Sequence, residues 1–174
     1  PQGTGGLYIK EGLVLDTLTE GGTGSMSESL VQPDILPDRF EAGTQNVPGV
    51  AGLLAGVNFV LKNGAATIGE KERYLAKILA EDLSAIDGVK VYGRPGSKDS
   101  VGVVSVTTRL GSVELADMLA KDYSVAVRAG LHCAPLAHRT LGTLESGTVR
   151  FSPGFFTTKE DVKYAARAVA KCLK

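Results

Sequence analysis

Apolar residues recur every three or four positions in two long segments of the chain, which is the spacing of one face of a helix. The first segment covers residues 48–63, and Gly64 follows it as a helix stop. The second is an apolar stripe within residues 75–86 that ends before Gly88. The pattern predicts two helices whose apolar faces pack against other elements.

Two more helices are indicated by capping residues as well as by period. Ser112 can cap a helix that carries Leu115 and Leu119 on one face. Thr157 and Glu160 have the spacing of a capping box, and they predict the start of the last helix. The predicted inner face of that helix consists of Val162, Ala166, Val169 and Leu173.

Short apolar segments rich in β-branched or aromatic residues predict strands. These segments are residues 6–10, 89–92, 101–106, 124–128 and 148–151. Residues 21–40 contain several glycines and prolines without a sustained period, which predicts a long loop. The alternation of helices and strands in the later part of the chain predicts a small α+β layer, with helices packed on a sheet.

Glycine and charge are distributed unevenly along the chain. Twelve of the 22 glycines lie within the first 64 residues, whereas 28 of the 38 charged residues follow Gly64. Such a shift in composition indicates two different environments, and we place the boundary at residues 61–67.

Charge and hydropathy argue against several classes of function. Nineteen basic residues balance nineteen acidic ones and no basic run occurs, so a nucleic-acid partner is not expected. The longest near-apolar run, residues 50–61, is shorter than the roughly 20 residues that span a bilayer. Two cysteines and no secretory signal favour a reducing, cytoplasmic setting. Because the chain starts at Pro1 without an initiator Met, we expect it to be part of a longer protein.

Cys133 is the residue best suited to nucleophilic chemistry. It follows Gly130 and precedes Pro135, so it is predicted to lie in a loop directly after a strand. Arg128 and His132 are close in sequence, and cations beside a thiol lower its pKa from about 8.5 toward neutrality. On this interpretation Cys133 is a competent nucleophile.

Other interpretations of these residues stay open. A lone cysteine is often a small buried hydrophobe, and Cys172 in the last helix is interpreted as structural or incidental. His132, Cys133 and His138 lack a zinc-ligand spacing and supply no fourth ligand, so no metal site is predicted. A thiol hydrolase is a further alternative, although the local signatures of that class are absent.

A candidate phosphate site lies where the first helix begins. Residues 39–44 are followed by Asn46 and Pro48, and the backbone N–H groups of a helix N-terminus can bind phosphate together with the Thr44 hydroxyl. An ordinary helix entry is the alternative. The Gly-rich stretches 3–6 and 21–25 lack the spacing of phosphate-binding loops and are interpreted as tight turns.

Five stretches are recognisable by their order along the chain: PQGTGGLYI, EGGTGS, RFEAGTQNVPGVAGL, VRAGLHCAPLAH and GTVRFSPGFFTT. Together they resemble the C-terminal half of class V aminotransferase-type, pyridoxal-phosphate (PLP) enzymes, specifically the cysteine desulfurase family. The short connection from Cys133 to Arg150 is similar to the branch with a compact cysteine loop, which includes sulfur-mobilisation desulfurases and selenocysteine lyases. Leu131 and Pro135 depart from the residues common in that branch, which leaves the exact substrate open.

The resemblance implies a role for each site residue. Cys133 would be catalytic and would receive sulfur from L-cysteine as a persulfide, with alanine as the other product. Arg128 and Arg150 would bind the substrate carboxylate. Gly43 and Thr44 would contact the phosphate of the PLP bound by the partner subunit. The implied cofactor is therefore PLP, and the implied partners are an amino-acid substrate, a sulfur-acceptor protein and a second copy in a homodimer.

The resemblance also implies the fold and its division into domains. Residues 1–47 would be the C-terminal remnant of the large PLP-binding domain of a fold-type I transferase. Residues 48–66 would be a connecting helix, and residues 67–174 the small α+β C-terminal domain. Since the family's Schiff-base lysine would lie just upstream of Pro1, the isolated chain is expected to be inactive.

Two alternatives differ from a cysteine desulfurase in function. A selenocysteine lyase or another class V aminotransferase-family enzyme would use the same site on a different substrate. A non-catalytic interaction domain would share only the fold of the small domain.

Overall fold

The computed structural model describes residues 2–174. Contacts within the chain divide it into two compact units, Pro1–Lys62 and Asn63–Lys174. The first unit contains short turns and one long helix, and the second contains a sheet with the remaining helices. The assignment of these regions to domains of a PLP enzyme stays a prediction.

Irregular chain and turns make up most of the first unit before its helix. Two 3-10 helices, Gly24–Met26 and Asp38–Phe40, lie in the long loop predicted over residues 21–40. The strand predicted over residues 6–10 is wrong. An extended segment becomes a strand only when a neighbour pairs with its backbone, and none of the described residues pairs with this one.

Helix α1 spans Val47–Asn63 and confirms the first predicted helix. Asn46 marks its start, because its side-chain Oδ1 accepts a hydrogen bond from Gly49 N–H at 3.1 Å. Gly64 then separates α1 from α2, Ala65–Ser84. The φ of Gly64 is 81°, a value that glycine adopts without the steric cost of a Cβ.

An antiparallel sheet of four strands organises the second unit. The strands are β1 (Lys90–Tyr92), β2 (Val104–Thr107), β3 (Arg128–Gly130) and β4 (Thr148–Phe151). Their spatial order is β1-β2-β4-β3, and every neighbouring pair is antiparallel. Strand β3 is therefore an edge strand that pairs with β4.

The predicted strands differ from the observed ones mainly at β3. Strand β4 has its predicted range, β1 begins one residue later than predicted, and β2 begins at Val104. The strand predicted over residues 124–128 overlaps β3 only at Arg128. Ser124 has a left-handed φ of 54° and ends the preceding helix. Strand β3 therefore begins to pair with β4 only at Arg128, later than the apolar pattern predicts.

Three further helices belong to the second unit: α3 (Ser112–Tyr123), α4 (Pro135–Leu141) and α5 (Lys159–Cys172). Helix α4 is absent from the prediction, because seven residues are too few to show a helical period. None of the helices within residues 2–174 combines the length and apolar character needed to cross a bilayer.

Both capping predictions need correction. Gly111, not Ser112, occupies the N-cap of α3, and the Ser112 hydroxyl instead donates to Ser146 O at 2.8 Å. The capping box of α5 is formed by Thr158 and Asp161, one residue later than predicted. A sequence signature places a helix end only to within one or two residues, so a shift of one residue is expected.

One face of the sheet packs on helices α2 and α3, and α5 packs against these two helices and completes the core. The larger apolar residues of this core are Leu75, Leu79, Leu83, Val104, Val106, Leu115, Leu119, Val149, Phe151, Val162, Val169 and Leu173. This arrangement confirms the predicted α+β layer and the predicted inner face of the last helix.

The opposite face of the sheet carries polar residues. Side chains alternate across a strand, so Ser105 and Arg150, which lie between core residues of β2 and β4, face away from the helices. The register places Ser105 opposite Arg150 and Arg150 opposite Arg128. A polar row therefore crosses three strands on the face that the core does not use.

Candidate functional site

Cys133 lies in a tight turn between β3 and α4, as the sequence predicts. Its side chain is exposed. The turn covers residues 131–134 and is closed by a hydrogen bond from Ala134 N–H to Leu131 O at 2.9 Å. The thiol is therefore accessible to a molecule that approaches this end of the second unit.

The backbone of this turn is strained. His132 and Cys133 have φ values of 51° and 57°, in the left-handed region. For a residue with a Cβ that conformation costs about 1–2 kcal/mol. Two such residues in succession persist only where the surrounding structure holds them, and strain of this kind concentrates at functional sites.

Two arginines lie side by side on the polar face of the sheet. Arg128 of β3 is the direct cross-strand partner of Arg150 of β4. The Nε nitrogen of Arg150 is buried and has no hydrogen-bond partner among the described residues. Because a buried donor is normally satisfied, this guanidinium fits an anionic ligand such as a carboxylate, which accepts two parallel hydrogen bonds.

His132 connects the turn to β3. Its Nε2 lies 3.3 Å from Arg128 O, and since a carbonyl oxygen only accepts, Nε2 carries the proton. Burial lowers the pKa of His132 below 6.5, and the positive charges of Arg150 and Arg128 lower it further. His132 is therefore uncharged at neutral pH. The cationic role that the sequence predicts for His132 beside the thiol is therefore wrong, and Arg128 and Arg150 carry the positive charge here.

Sequence reasoning missed a buried polar pair next to the turn. His138 of α4 and Thr143 are buried, and His138 Nδ1 lies 2.8 Å from Thr143 Oγ1. The His138 ring also contacts the His132 ring, with centroids 5.8 Å apart. Pro135 at the first turn of α4 and Gly142 at its C-cap were the available signals for this short helix.

The second cysteine differs from the first. Cys172 is buried at the end of α5, and burial raises the pKa of its thiol. It therefore packs as a small apolar residue, which confirms the sequence interpretation. Within residues 2–174, no group of three or more His, Cys, Asp or Glu side chains is arranged to hold a metal ion.

The predicted phosphate-binding residues lie in the first unit. Gly43 and Thr44 line a cleft of about 640 Å³ together with Glu20–Gly24 and hydroxyl residues such as Ser27 and Ser29. Gly43 N–H donates to Gly22 O at 3.2 Å, and a Cβ on Gly22 would lie only 2.8 Å from Gly43 Cα. A cleft lined by glycine backbone and hydroxyl groups fits a phosphate group.

The structure thus brings the predicted residues together in two sets. Arg128, Arg150 and Cys133 belong to the end of the second unit formed by β3, β4 and the turn. Gly43 and Thr44 belong to the first unit. The functional roles of these five residues stay predictions.

Comparisons with known proteins find similarity along almost the whole chain. The family model described as Aminotransferase class-V matches residues 1–165. A probable cysteine desulfurase from Xylella fastidiosa (strain Temecula1) is 33% identical over 178 residues, which cover 100% of this chain and 42% of the relative. The chain therefore spans about two fifths of the length of this relative, and of a probable cysteine desulfurase from Methanothermobacter thermautotrophicus that is 31% identical over 94% of this chain.

Two solved structures share the fold. The apo structure of a cysteine desulfurase from Thermococcus onnurineus NA1 has 34% identity and a TM-score of 0.74, and the match covers 83% of this chain and 36% of that one. The cysteine desulfurase CsdA from Escherichia coli has 28% identity and a TM-score of 0.69, over 79% of this chain and 33% of that one. These similarities confirm the predicted fold class, the small α+β domain of a fold-type I PLP-dependent transferase.

Proposed function

The chain belongs to the class V aminotransferase family, and we propose that it is part of an enzyme that removes sulfur from L-cysteine and holds it as a persulfide on Cys133. One observation carries the proposal. The exposed thiol of Cys133 follows the edge strand on which Arg128 lies directly opposite Arg150. The names of the similar proteins, which are cysteine desulfurases, support L-cysteine as the substrate.

Arg150 and Arg128 bind the substrate in this proposal. The buried, unpaired Nε of Arg150 provides one of two donors that a carboxylate accepts side by side, and the neighbouring Arg128 adds a second positive charge. Both residues lie on paired strands of a rigid sheet. Binding by the carboxylate therefore limits where the substrate sulfur can lie relative to the turn.

Cys133 accepts the sulfur. Its thiolate Sγ attacks the substrate sulfur, an S–S bond forms and the substrate C–S bond breaks, and the carbon skeleton takes up a proton and leaves as alanine. L-Cysteine and the enzyme thiol are converted to alanine and an enzyme persulfide, so atoms and electrons balance without an external oxidant. The exposure of Cys133 leaves the persulfide accessible to a sulfur-acceptor protein.

Gly43 and Thr44 would hold the phosphate of PLP. The Thr44 hydroxyl and glycine backbone border this cleft, and hydroxyl and backbone N–H groups are donors that a phosphate accepts. The Gly43 N–H itself donates to Gly22 O, so the Thr44 hydroxyl is the side-chain donor in this proposal. When bound, PLP supplies an electron sink that weakens the C–S bond of the substrate. The family resemblance implies that Gly43 and Thr44 contact the PLP that the partner subunit binds. We therefore include a homodimer in the proposal.

The test uses the full-length protein that contains this chain, loaded with PLP. We expect it to form alanine from L-cysteine, and we expect Cys133→Ser to abolish alanine and persulfide formation. The matched control is Cys172→Ser, which removes the buried cysteine outside the site and retains turnover. Unchanged alanine formation by Cys133→Ser would show that the nucleophile is wrongly assigned.

The same assay separates the alternatives. Much faster selenide release from selenocysteine, with little reaction of L-cysteine, would identify a selenocysteine lyase. A protein without a PLP absorption band and without turnover on either substrate would favour the non-catalytic interaction domain.

Arg150→Lys tests the carboxylate site separately. Lysine keeps the positive charge but not the fork of two parallel donors. We expect kcat/KM for L-cysteine to fall by about tenfold or more, mainly through KM, because a charged hydrogen bond contributes about 1.5–3 kcal/mol. An unchanged KM would mean that Arg150 does not bind the substrate.

A further inference from the structure

The turn that carries Cys133 contacts a buried polar pair that the proposed reaction does not use. His138 is 5% exposed and Thr143 is 2% exposed. Their side chains share a hydrogen bond of 2.8 Å between Nδ1 and Oγ1, and Thr143 N–H donates to His138 O at 2.8 Å. Two hydrogen bonds between the same residues fix the orientation of the His138 ring at the end of α4.

The His138 ring contacts the turn through the side chain of His132. The rings of His138 and His132 have centroids 5.8 Å apart and planes inclined by 34°. His132 in turn donates from Nε2 to Arg128 O at 3.3 Å. His132 therefore lies between the buried pair and strand β3, and it is the immediate neighbour of Cys133.

The residue that makes this contact, His132, lies in the strained backbone of the turn. His132 and Cys133 both have left-handed φ values, which residues with a Cβ leave when nothing holds them. The hydrogen bond from Ala134 N–H to Leu131 O closes the turn, but it holds the chain ends and not the His132 side chain. The side chain is held by the His138 ring on one side and by Arg128 O on the other.

We propose that His138 is a positioning residue, oriented by Thr143, that acts through His132 to hold the turn of His132 and Cys133 and thereby the position of the Cys133 sulfur. The effect on the turn depends only on the contacts above. The effect on turnover rests on the proposed function.

Within that function, substrate binding and the reaction at sulfur depend on different elements. The arginines that hold the substrate carboxylate lie on β3 and β4, whereas the sulfur of Cys133 lies on the turn. A loosened turn therefore leaves the substrate bound but misplaces the nucleophile, and a misplacement of about 1 Å costs up to roughly 10²-fold in rate. The expected signature is a lower kcat with a nearly constant KM.

The first experiment measures the turn itself, by hydrogen exchange and mass spectrometry on the full-length protein. Thr143→Val keeps the side-chain size but removes the hydroxyl, whereas Thr143→Ser keeps the hydroxyl. His138→Asn keeps a polar atom near the position of Nδ1 but removes the ring. We expect peptides covering residues 131–136 to exchange about tenfold faster in Thr143→Val and His138→Asn, and at the wild-type rate in Thr143→Ser.

Thr140→Val is the matched control. Thr140 is exposed on the same helix, and its hydroxyl donates to Leu136 O at 3.1 Å, so the substitution removes a comparable bond away from the turn. We expect it to leave exchange of the turn unchanged. Peptides covering residues 148–151 of β4 report whether the fold as a whole has loosened.

The second experiment measures steady-state kinetics with L-cysteine for the same variants. We expect kcat to fall about tenfold or more in Thr143→Val and His138→Asn, with KM within about twofold of wild type and recovery in Thr143→Ser. Wild-type exchange in both variants overturns the proposal. Faster exchange of β4 to the same extent as the turn also overturns it, because His138 then contributes only general stability.

The proposal also remains testable if one variant does not fold or if the wild-type protein does not react with L-cysteine. If His138→Asn does not fold, the comparison of Thr143→Val with Thr143→Ser decides the proposal alone. If the wild-type protein does not react with L-cysteine, the proposed function fails, while the exchange of the turn still confirms or refutes the role of His138.

Discussion

The two units of the chain differ in where their apolar side chains lie. Every member of the hydrophobic core found among residues 2–174 belongs to the second unit. Most large apolar side chains of the first unit are exposed instead, including Leu18 and Leu30, which are fully exposed. Since burial of one such side chain contributes about 1.5–3 kcal/mol, the second unit carries the stability of this chain.

The candidate functional residues follow the same division. The thiol and the two arginines lie on the unit that has the core, where a turn and paired strands hold them. The predicted phosphate-binding residues, Gly43 and Thr44, lie on the first unit, whose described residues contribute nothing to the core and whose glycine backbone lines the cleft. A nucleophile must be placed within a fraction of an ångström, which requires rigid packing, whereas phosphate is bound by backbone N–H groups that a glycine turn presents.

The largest expected contrast comes from the same substitution in the two units. Leu79→Ala removes a fully buried side chain of α2, and we expect the free energy of unfolding of the second unit to fall by about 2–5 kcal/mol. Leu54→Ala, on the exposed side of α1, is expected to change it by less than about 0.5 kcal/mol. Urea unfolding of the 174-residue chain measures both, and equal effects would contradict the division.

Gly147 in the second unit and Gly22 in the first provide a second comparison between the two units. Gly147 has a φ of 61°, and a Cβ there would lie 2.7 Å from Gly130 Cα. We expect Gly147→Ala to destabilise the second unit by at least about 1–2 kcal/mol, the cost of a left-handed alanine. Gly22 has a φ of 57° and a similar approach to Gly43 Cα, so Gly22→Ala should displace Gly43.

The two glycine variants have separate readouts. Gly147→Ala should lower the midpoint of urea unfolding. Gly22→Ala should leave that midpoint unchanged and should lower the PLP affinity of the full-length protein. PLP binding equal to wild type in Gly22→Ala would argue against a phosphate site at Gly43 and Thr44.

Helix caps provide a smaller contrast. Thr158 caps α5 by accepting from Asp161 N–H at 3.1 Å, and Asn46 caps α1 by accepting from Gly49 N–H at 3.1 Å. Replacing Thr158 or Asn46 by alanine removes a capping hydrogen bond that contributes about 1 kcal/mol. We expect Thr158→Ala to lower the unfolding midpoint of the whole second unit, with Thr158→Ser as its control. Asn46→Ala should affect only local hydrogen exchange at the start of α1.

The smallest effect concerns pH. Hydrogen bonds from the backbone N–H and the hydroxyl of Thr158 hold the pKa of Asp161 below 3.8. A depressed pKa in the folded state means that the ionised carboxylate favours folding above its unfolded pKa, and that this contribution is lost as the pH falls through the folded value. NMR titration of the Asp161 carboxyl should show the lowered pKa in wild type and a higher one in Thr158→Ala. A pKa of 3.8 or above in wild type would contradict the capping box.

Local patterns predicted the elements that depend on local residues. The period of residues 48–63 identified α1, and the apolar run of residues 148–151 identified β4 with its observed range. Prediction was wrong for residues 6–10, because a strand also needs a partner. It missed α4, because a one- or two-turn helix has no measurable period.

Some features of the candidate site were likewise predictable from neighbouring residues, and others were not. The place of Cys133 in a loop after a strand, and the small buried character of Cys172, were predictable from their immediate neighbours. The uncharged state of His132 was not, because it follows from burial and from the charge of Arg150, which is distant in sequence. The pairing of His138 with Thr143 was also beyond prediction, since the two residues, although only five positions apart, form no recognised sequence motif.

The amino-acid sequence by itself determined the family resemblance, the helical periods and the place of Cys133 in a loop after a strand, because each of these rests on short stretches of neighbouring residues. Only the tertiary structure decided that Arg128 lies opposite Arg150, that the Arg150 Nε is buried without a partner, and that the His138 ring contacts His132. Strand register and burial are set by packing between distant segments, and these decide which side chains can act together.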